Sequence, residues 1–231
     1  MSKSQIIYIT DPLCLWCYGI APELEQFYAS LPEDVESITI NGGLFPNHRG
    51  KLADAAFRDY LKKASEYVTQ KTGQVFTDKF WSLLETKGFI YDTEPSARAS
   101  VTVKNLKGDA AMQQYIHALQ HAVFVEGLNP TSPELLAGVA QFLEISQEEF
   151  LKEYHTDDML QATRDEYEMA QRLGVQGFPA LLYAKDNKGY RIASGYASLS
   201  DLKSAFNWAR GESGQTPMAE SPSCNAQGCN V

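Results

Sequence analysis

The sequence predicts an α/β fold of element order βαβ…ββα, divided by a large all-helical insertion. Three observations carry this expectation. Runs rich in β-branched and aromatic residues cluster near the two ends of the 231-residue chain, "QIIYIT" and "VESITING" early and "ALLYAKDNKGYRIASG" late. Amphipathic helical segments follow the first strand and the last. Everything from about Gly50 to Leu173 carries helical periodicity with no convincing strand signal between. The expected divisions are 1–48 for the first half of the sheet domain, 49–173 for the insertion, 174–210 for the second half and 211–231 for a flexible tail.

In the first half, Val35, Ser37 and Thr39 alternate with Ile38 and Ile40 before Gly42 and Gly43, the period of a strand. Between the two early strands, Ile20, Leu24, Phe27 and Leu31 repeat at the spacing of one helix face, and Pro32 with "EDVE" closes the segment. Strand, helix and strand in this order form a right-handed βαβ unit. Pro22 lies inside the helix and removes one backbone donor.

The insertion offers "FTDKFWSLLETK", "DAAMQQYIHALQHAVFVEG", "SPELLAGVAQFLEI" and "DMLQATRDEYEMAQRL" as separate helices. Ser146 with Glu149 reads as a capping box, Pro133 suits a first helical position, and Gly174 suits a C-terminal stop. "QEEFLKEYHTDD" reads as a solvated helix face. After Gly174, "DNKG" marks a hairpin turn, and Ser198 with Asp201 caps a final amphipathic helix, "SLSDLKSAFNWAR". The whole is a thioredoxin-like layout, and no internal repeat is present.

Composition narrows the function. The net charge is -9, so the mean field repels phosphate backbones and anionic membranes, and neither nucleic acid nor membrane is an expected partner. No apolar run spans a bilayer. The first residues, "MSKSQIIYITDPL", carry too short an apolar run for a secretion signal. The expected location is the cytoplasm, where paired cysteines are more often catalytic or metal-binding than structural.

The stretch "DPLCLWCYG" holds two of the four cysteines, Cys14 and Cys17, where the first strand ends and the helix begins. A sulfur there faces unpaired N–H groups and the positive end of the helix dipole, which favours thiolate. Cysteines so placed in other proteins titrate between about 3.5 and 7.5, against about 8.5 for a free thiol. The expectation is a moderately lowered pKa, because Leu15 and Trp16 bring no charge, and Asp11 raises it again if its carboxylate points at the sulfur. Cys17, one turn on, is placed to attack a mixed disulfide formed at Cys14. Two other readings stand beside this one: a tetrahedral zinc site of Cys14, Cys17, Cys224 and Cys229 in a non-catalytic interaction module, and two inert cysteines. The expected metal is none.

Near the other end, "GVQGFPALLY" places Gly174, Gly177 and Pro179 immediately before a strand, where a cis Phe178–Pro179 peptide would be a tight turn feature and a trans proline is the alternative. "DPLCLWCYG", a helical insertion and "GVQGFP", in this order, resemble the DsbA-like branch of the thioredoxin superfamily, in particular its cytosolic FrnE-like members. The resemblance spans roughly Ile6 to Arg210. It implies a thiol-disulfide oxidoreductase or isomerase in which Cys14 and Cys17 form the redox pair. It also implies that Pro179 sits in a loop facing them, with Phe178 pairing its backbone to an extended substrate; Leu15 and Trp16, between the two cysteines, are expected to bind substrate as well. Leu15 stands where the family more often has proline. Kappa glutathione transferases and hydroxychromene-carboxylate isomerases share the fold but usually carry serine at the position of Cys14, so a glutathione-dependent transferase or isomerase is the alternative enzyme.

The expected partners are protein or peptide thiols and disulfides, with glutathione or a thioredoxin-type protein as reductant and no required cofactor. Monomer and homodimer both remain open. Some FrnE-like proteins resemble this chain in carrying an extra C-terminal cysteine pair. Cys224 and Cys229, in a tail rich in Gly, Ser, Pro and Gln, then read as a second redox pair that exchanges with Cys14 and Cys17. A local disulfide, a metal-binding tail or incidental thiols are the alternatives. His117 and His121 stand at i and i+4 without a third ligand and read as ordinary helix histidines.

Overall fold

A computed structural model describes residues 4–186, 188–211, 223–225 and 227–229. Asn187 of the expected hairpin turn, and residues 212–222, 226, 230 and 231 of the expected tail, lie outside the described residues. The chain opens with β1 (Ser4–Thr10), α1 (Leu15–Ala29) and β2 (Val35–Asn41). Next come β3 (Lys51–Leu52), α2 (Ala55–Thr72), α3 (Asp78–Leu84), β4 (Ile90–Tyr91), α4 (Glu94–Lys107), α5 (Asp109–Phe124), α6 (Pro133–Ala140), α7 (Gln147–Tyr154) and α8 (Asp157–Arg172). It closes with β5 (Ala180–Lys185), β6 (Lys188–Ser194), α9 (Leu199–Ala209), β7 (Cys224–Asn225) and β8 (Gly228–Cys229).

The main sheet has the order β2-β1-β5-β6. β1 runs parallel to β2 from Ser4 opposite Val35 to Thr10 opposite Asn41, and antiparallel to β5 from Gln5 opposite Ala184 to Ile9 opposite Ala180. The α/β class and the thioredoxin-like split of the sheet are as expected. The helical stretch adds one feature that the pattern did not reveal, the two-residue ladder of β3 with β4.

Two helices were not separable from sequence. α2 buries Leu61, Ala64, Ser65 and Val68, a plain 3–4 repeat. α4 buries Ser96, Ala97, Ala99, Ser100, Val101, Thr102 and Val103, and the weak helical preference of its serines, valines and threonine is overridden by packing on α5 and α8. Ser198 and Asp201 make a reciprocal capping box, whereas at the expected Ser146–Glu149 box only the serine half forms, its hydroxyl accepting from Glu149 N–H at 3.1 Å. α1 and α9 lie together, with Phe27 edge-on to Phe206 at 5.7 Å and Phe206 edge-on to Tyr183 of β5 at 5.4 Å. Pro22 withholds the donor that Tyr18 C=O would receive in an unbroken helix, and the Gln74 amide donates to that carbonyl instead at 3.3 Å.

β2 is an edge strand, and side chains of the helical region cover its free edge. Asp109 accepts from Thr39 N–H at 3.0 Å, Glu166 accepts from Asn41 N–H at 2.8 Å, and Lys104 donates to Thr39 C=O at 2.8 Å. An edge satisfied in this way cannot recruit a foreign strand. Burial pushes the Glu166 carboxyl up, and Lys104 opposes the shift through an ion pair at 3.0 Å. Removing Lys104 leaves that carboxylate short of its charge partner. Lys104→Ala is therefore expected to cost about 3 kcal/mol, the low end for a buried pair because the lysine side chain keeps 25% exposure. Urea unfolding of the variant beside the wild type checks this, and a loss under about 1 kcal/mol would place the pair among weak surface bridges.

Candidate active site

β1 ends at Thr10, and the next residues turn the chain into α1. The turn is built by Asp11, whose Oδ1 accepts from Leu13 N–H at 3.0 Å and whose Oδ2 accepts from Leu44 N–H at 2.7 Å. Cys14 N–H donates to Asp11 C=O at 3.0 Å, and the Tyr91 hydroxyl donates to Leu13 C=O at 2.7 Å. These bonds deliver Cys14 to the N-cap of α1, where its sulfur accepts from Cys17 N–H at 3.3 Å, in the role an oxygen usually plays. Both thiols are free of disulfides.

The Phe178–Pro179 peptide is cis, and Phe178 C=O accepts from the Cys14 thiol at 3.6 Å. The structure thus brings Cys14, Cys17, Phe178 and Pro179 together across 164 residues of chain. The Phe178 ring occupies the space that a side chain at residue 42 would fill: a Cβ on Gly42 would collide with Cε1 and Cζ of that ring. Leu15 and Trp16, expected to bind substrate, are each 1% exposed, with Trp16 against Tyr196 at 5.9 Å between ring centres, so in this arrangement neither is open to contact.

Electrostatics depart from expectation. Burial pushes the Cys14 thiol well above the ordinary thiol range, the neighbouring Cys17 sulfur adds to this, and the Cys17 N–H opposes it without prevailing. Asp11 also raises Cys14, the direction expected of that carboxylate. The helix N-terminus favours thiolate as anticipated, but Cys14 is 0% exposed and desolvation wins. Burial also raises Tyr60 of α2 and Tyr91 of β4, and the Cys14 charge adds to both. Those two residues, with Leu44 and Asp11, are parts of the site absent from the expected site residues. Nothing local marks Tyr60 or Tyr91; only the packing of the insertion brings them here.

Cys224 and Cys229 are bonded to each other. That disulfide uses two of the four sulfurs of the alternative zinc site, and the four-sulfur site is not formed. Among the described residues no cluster of three or more His, Cys, Asp or Glu is arranged for a metal, His117 and His121 included. Among the described residues no helix is long and apolar enough to cross a membrane.

Comparison with known proteins places this geometry. The family described as the DSBA-like thioredoxin domain matches residues 5–207. A candidate protein disulfide isomerase from Nitrosomonas europaea superposes with TM-score 0.82 at 28% identity, covering 92% of this chain and all of that one. The cytosolic disulfide reductase DsbM from Pseudomonas aeruginosa superposes with TM-score 0.69 at 23% identity, over 89% of this chain and 95% of that one, a likeness of fold. The ClpXP adapter protein SpxH of Bacillus subtilis is 20% identical over 201 residues, 84% of this chain. The matched region covers 63% of the length of that relative.

Burial of Asp11 raises its carboxyl from 3.8 to about 6, against the pull of the two N–H groups it accepts. The neutral form is thus the one the fold prefers, a preference of about 3 kcal/mol. Below about pH 4 Asp11 is neutral folded and unfolded, and this contribution is fully present; it is lost as pH rises through about 6. Asp11→Asn removes the titrating group, so its stability deficit against the wild type is expected to shrink between pH 4 and 7. Urea midpoints of both proteins across that range decide it, and a constant gap rules the assignment out.

Proposed function

The chain belongs to the DSBA-like thioredoxin domain family, and on that premise we propose that it exchanges disulfides with protein or peptide substrates through Cys14 and Cys17. One observation carries the reading: the sulfur that caps α1 and accepts from Cys17 N–H also lies 3.6 Å from Phe178 C=O, beside the cis Phe178–Pro179 peptide. A nucleophile, a second thiol and a backbone edge for an extended chain therefore stand at one place.

In the reducing direction, the Cys14 thiolate attacks one sulfur of a substrate disulfide. A Cys14–substrate bond forms as the substrate S–S bond breaks, and the departing thiolate takes up a proton. Deprotonated Cys17 then attacks the Cys14 sulfur, forming the Cys14–Cys17 disulfide and releasing the second substrate thiolate, which is protonated in turn. The substrate gains two electrons and two protons, and the dithiol loses them. A thiol reductant, glutathione or a thioredoxin-type protein, restores the pair, and no other cofactor is required. Run backwards, the same steps oxidise a substrate, and a second substrate thiol that intercepts the mixed disulfide gives isomerisation. The cytoplasm is the proposed compartment, supported by the resemblance of the two motifs to cytosolic FrnE-like proteins and by a structural neighbour described as cytosolic.

Dithiothreitol-driven reduction of insulin tests the reading. The wild type is expected to exceed the dithiothreitol background and Cys14→Ser to fall to it, while Cys17→Ser accumulates a mixed disulfide with substrate. Wild-type rates at background would refute dithiol chemistry on insulin. Retention of full turnover by Cys17→Ser would favour the glutathione-dependent alternative.

A further inference from the structure

The edge of Phe178 is already occupied. Phe178 N–H donates to Cys224 C=O at 2.6 Å, and Cys224 N–H donates to Phe178 C=O at 2.7 Å, a closed antiparallel pair. The carbonyl that accepts from Cys224 N–H is the one that accepts from the Cys14 thiol. We propose that the C-terminal hairpin is a built-in competitor of substrate: its Cys224 strand takes the backbone positions of the substrate strand and closes the site over Cys14 until a substrate displaces it. This rests on the reading that substrates pair with Phe178.

Four observations support it. Cys14 and Cys224 are each 0% exposed and Cys17 is 1% exposed, so a protein disulfide cannot reach the dithiol in this arrangement. Cys224 belongs to the same buried apolar cluster as Cys14, Cys17 and Phe178, with Cys229 packed at its margin. The tail approaches closely at Gly177: a Cβ there would stand 3.4 Å from Cys224 O and 2.8 Å from Ser223 Oγ, which would have to turn aside. Finally, β7 pairs with β8, Cys224 opposite Cys229 and Asn225 opposite Gly228, so the segment meets Phe178 already as an extended strand. The upward push that burial exerts on Cys14 fits the same picture, since a shielded thiol stays protonated and inert until it is uncovered.

Two full-length variants without tail thiols separate the backbone seat from the disulfide. Cys224→Ala with Cys229→Ala keeps the N–H that pairs with Phe178, and Cys224→Pro with Cys229→Ala lacks it. After reduction, Cys14 alkylation by iodoacetamide, followed by peptide mass, is expected to run about tenfold faster in the proline variant, as loss of one buried hydrogen bond and crowding by the ring together imply. In both variants the rate is expected to be almost independent of sub-denaturing urea, as for a local opening, and a rate that rises with the full urea slope of global unfolding overturns the proposal. Equal labelling rates overturn it as well. A loss of insulin turnover in the alanine variant at unchanged labelling would make the tail pair an electron relay instead, which also overturns it. Faster, urea-independent labelling of the proline variant, with background insulin rates in every protein, would leave the plug standing and remove the oxidoreductase reading alone.

Discussion

Two backbone N–H groups, those of Leu13 and Leu44, end on the same buried carboxylate, and through it the turn that carries Cys14 is tied to the segment that leaves β2. An amide side chain has one oxygen and could cap only one of these donors; the two oxygens of Asp11 cap both. The burial that makes Asp11 costly to ionise is the same burial that makes the tie rigid, because no water competes for the oxygens. Tyr91 adds a third hold through Leu13 C=O. The position of Cys14 at the start of α1 follows from these bonds as much as from the helix itself.

The helical region serves the sheet twice. Its polar side chains Lys104, Asp109 and Glu166 satisfy the open edge of β2, which would otherwise be an aggregation template. Its aromatic side chains Phe57 and Tyr91 build the wall beside the dithiol, 5.7 Å apart between ring centres, and Tyr91 meets Phe45 of the sheet domain at 6.4 Å. Strand protection and site construction therefore draw on the same inserted segment, from α2 through α8.

A buried nucleophile poses a physical conflict. Thiolate character needs either solvent or compensating charge, and around Cys14 the compensation is one N–H at 3.3 Å against full desolvation and a neighbouring carboxylate. The conflict resolves if the closed arrangement is a resting form, with the dithiol protected from adventitious oxidation and activated only as its cover lifts. Local covers of this kind come from the least stable parts of a fold, and a hairpin of two-residue strands attached to the core at Phe178 is such a part.

By itself the sequence determined what depends on residues near one another along the chain. The two strand clusters, the βαβ start, the caps at Ser146 and Ser198, the Cys14–Cys17 spacing and the Gly-Phe-Pro turn are all local patterns, and local hydrogen bonding and periodicity are enough to read them. Whether the dithiol sits as thiol or thiolate was not local. Dipole and spacing argued for a lowered pKa, and only tertiary burial, contributed by segments as distant as Tyr91 and Phe178, reversed the sign. The same holds for the tail. Its Gly- and Ser-rich composition read as flexible, yet Cys224 finds two backbone partners at Phe178, because an unpaired strand edge beside a glycine accepts an extended segment whatever its composition. Tertiary structure decided the environment of each reactive group, since desolvation and long-range pairing sum over neighbours that no window of sequence contains.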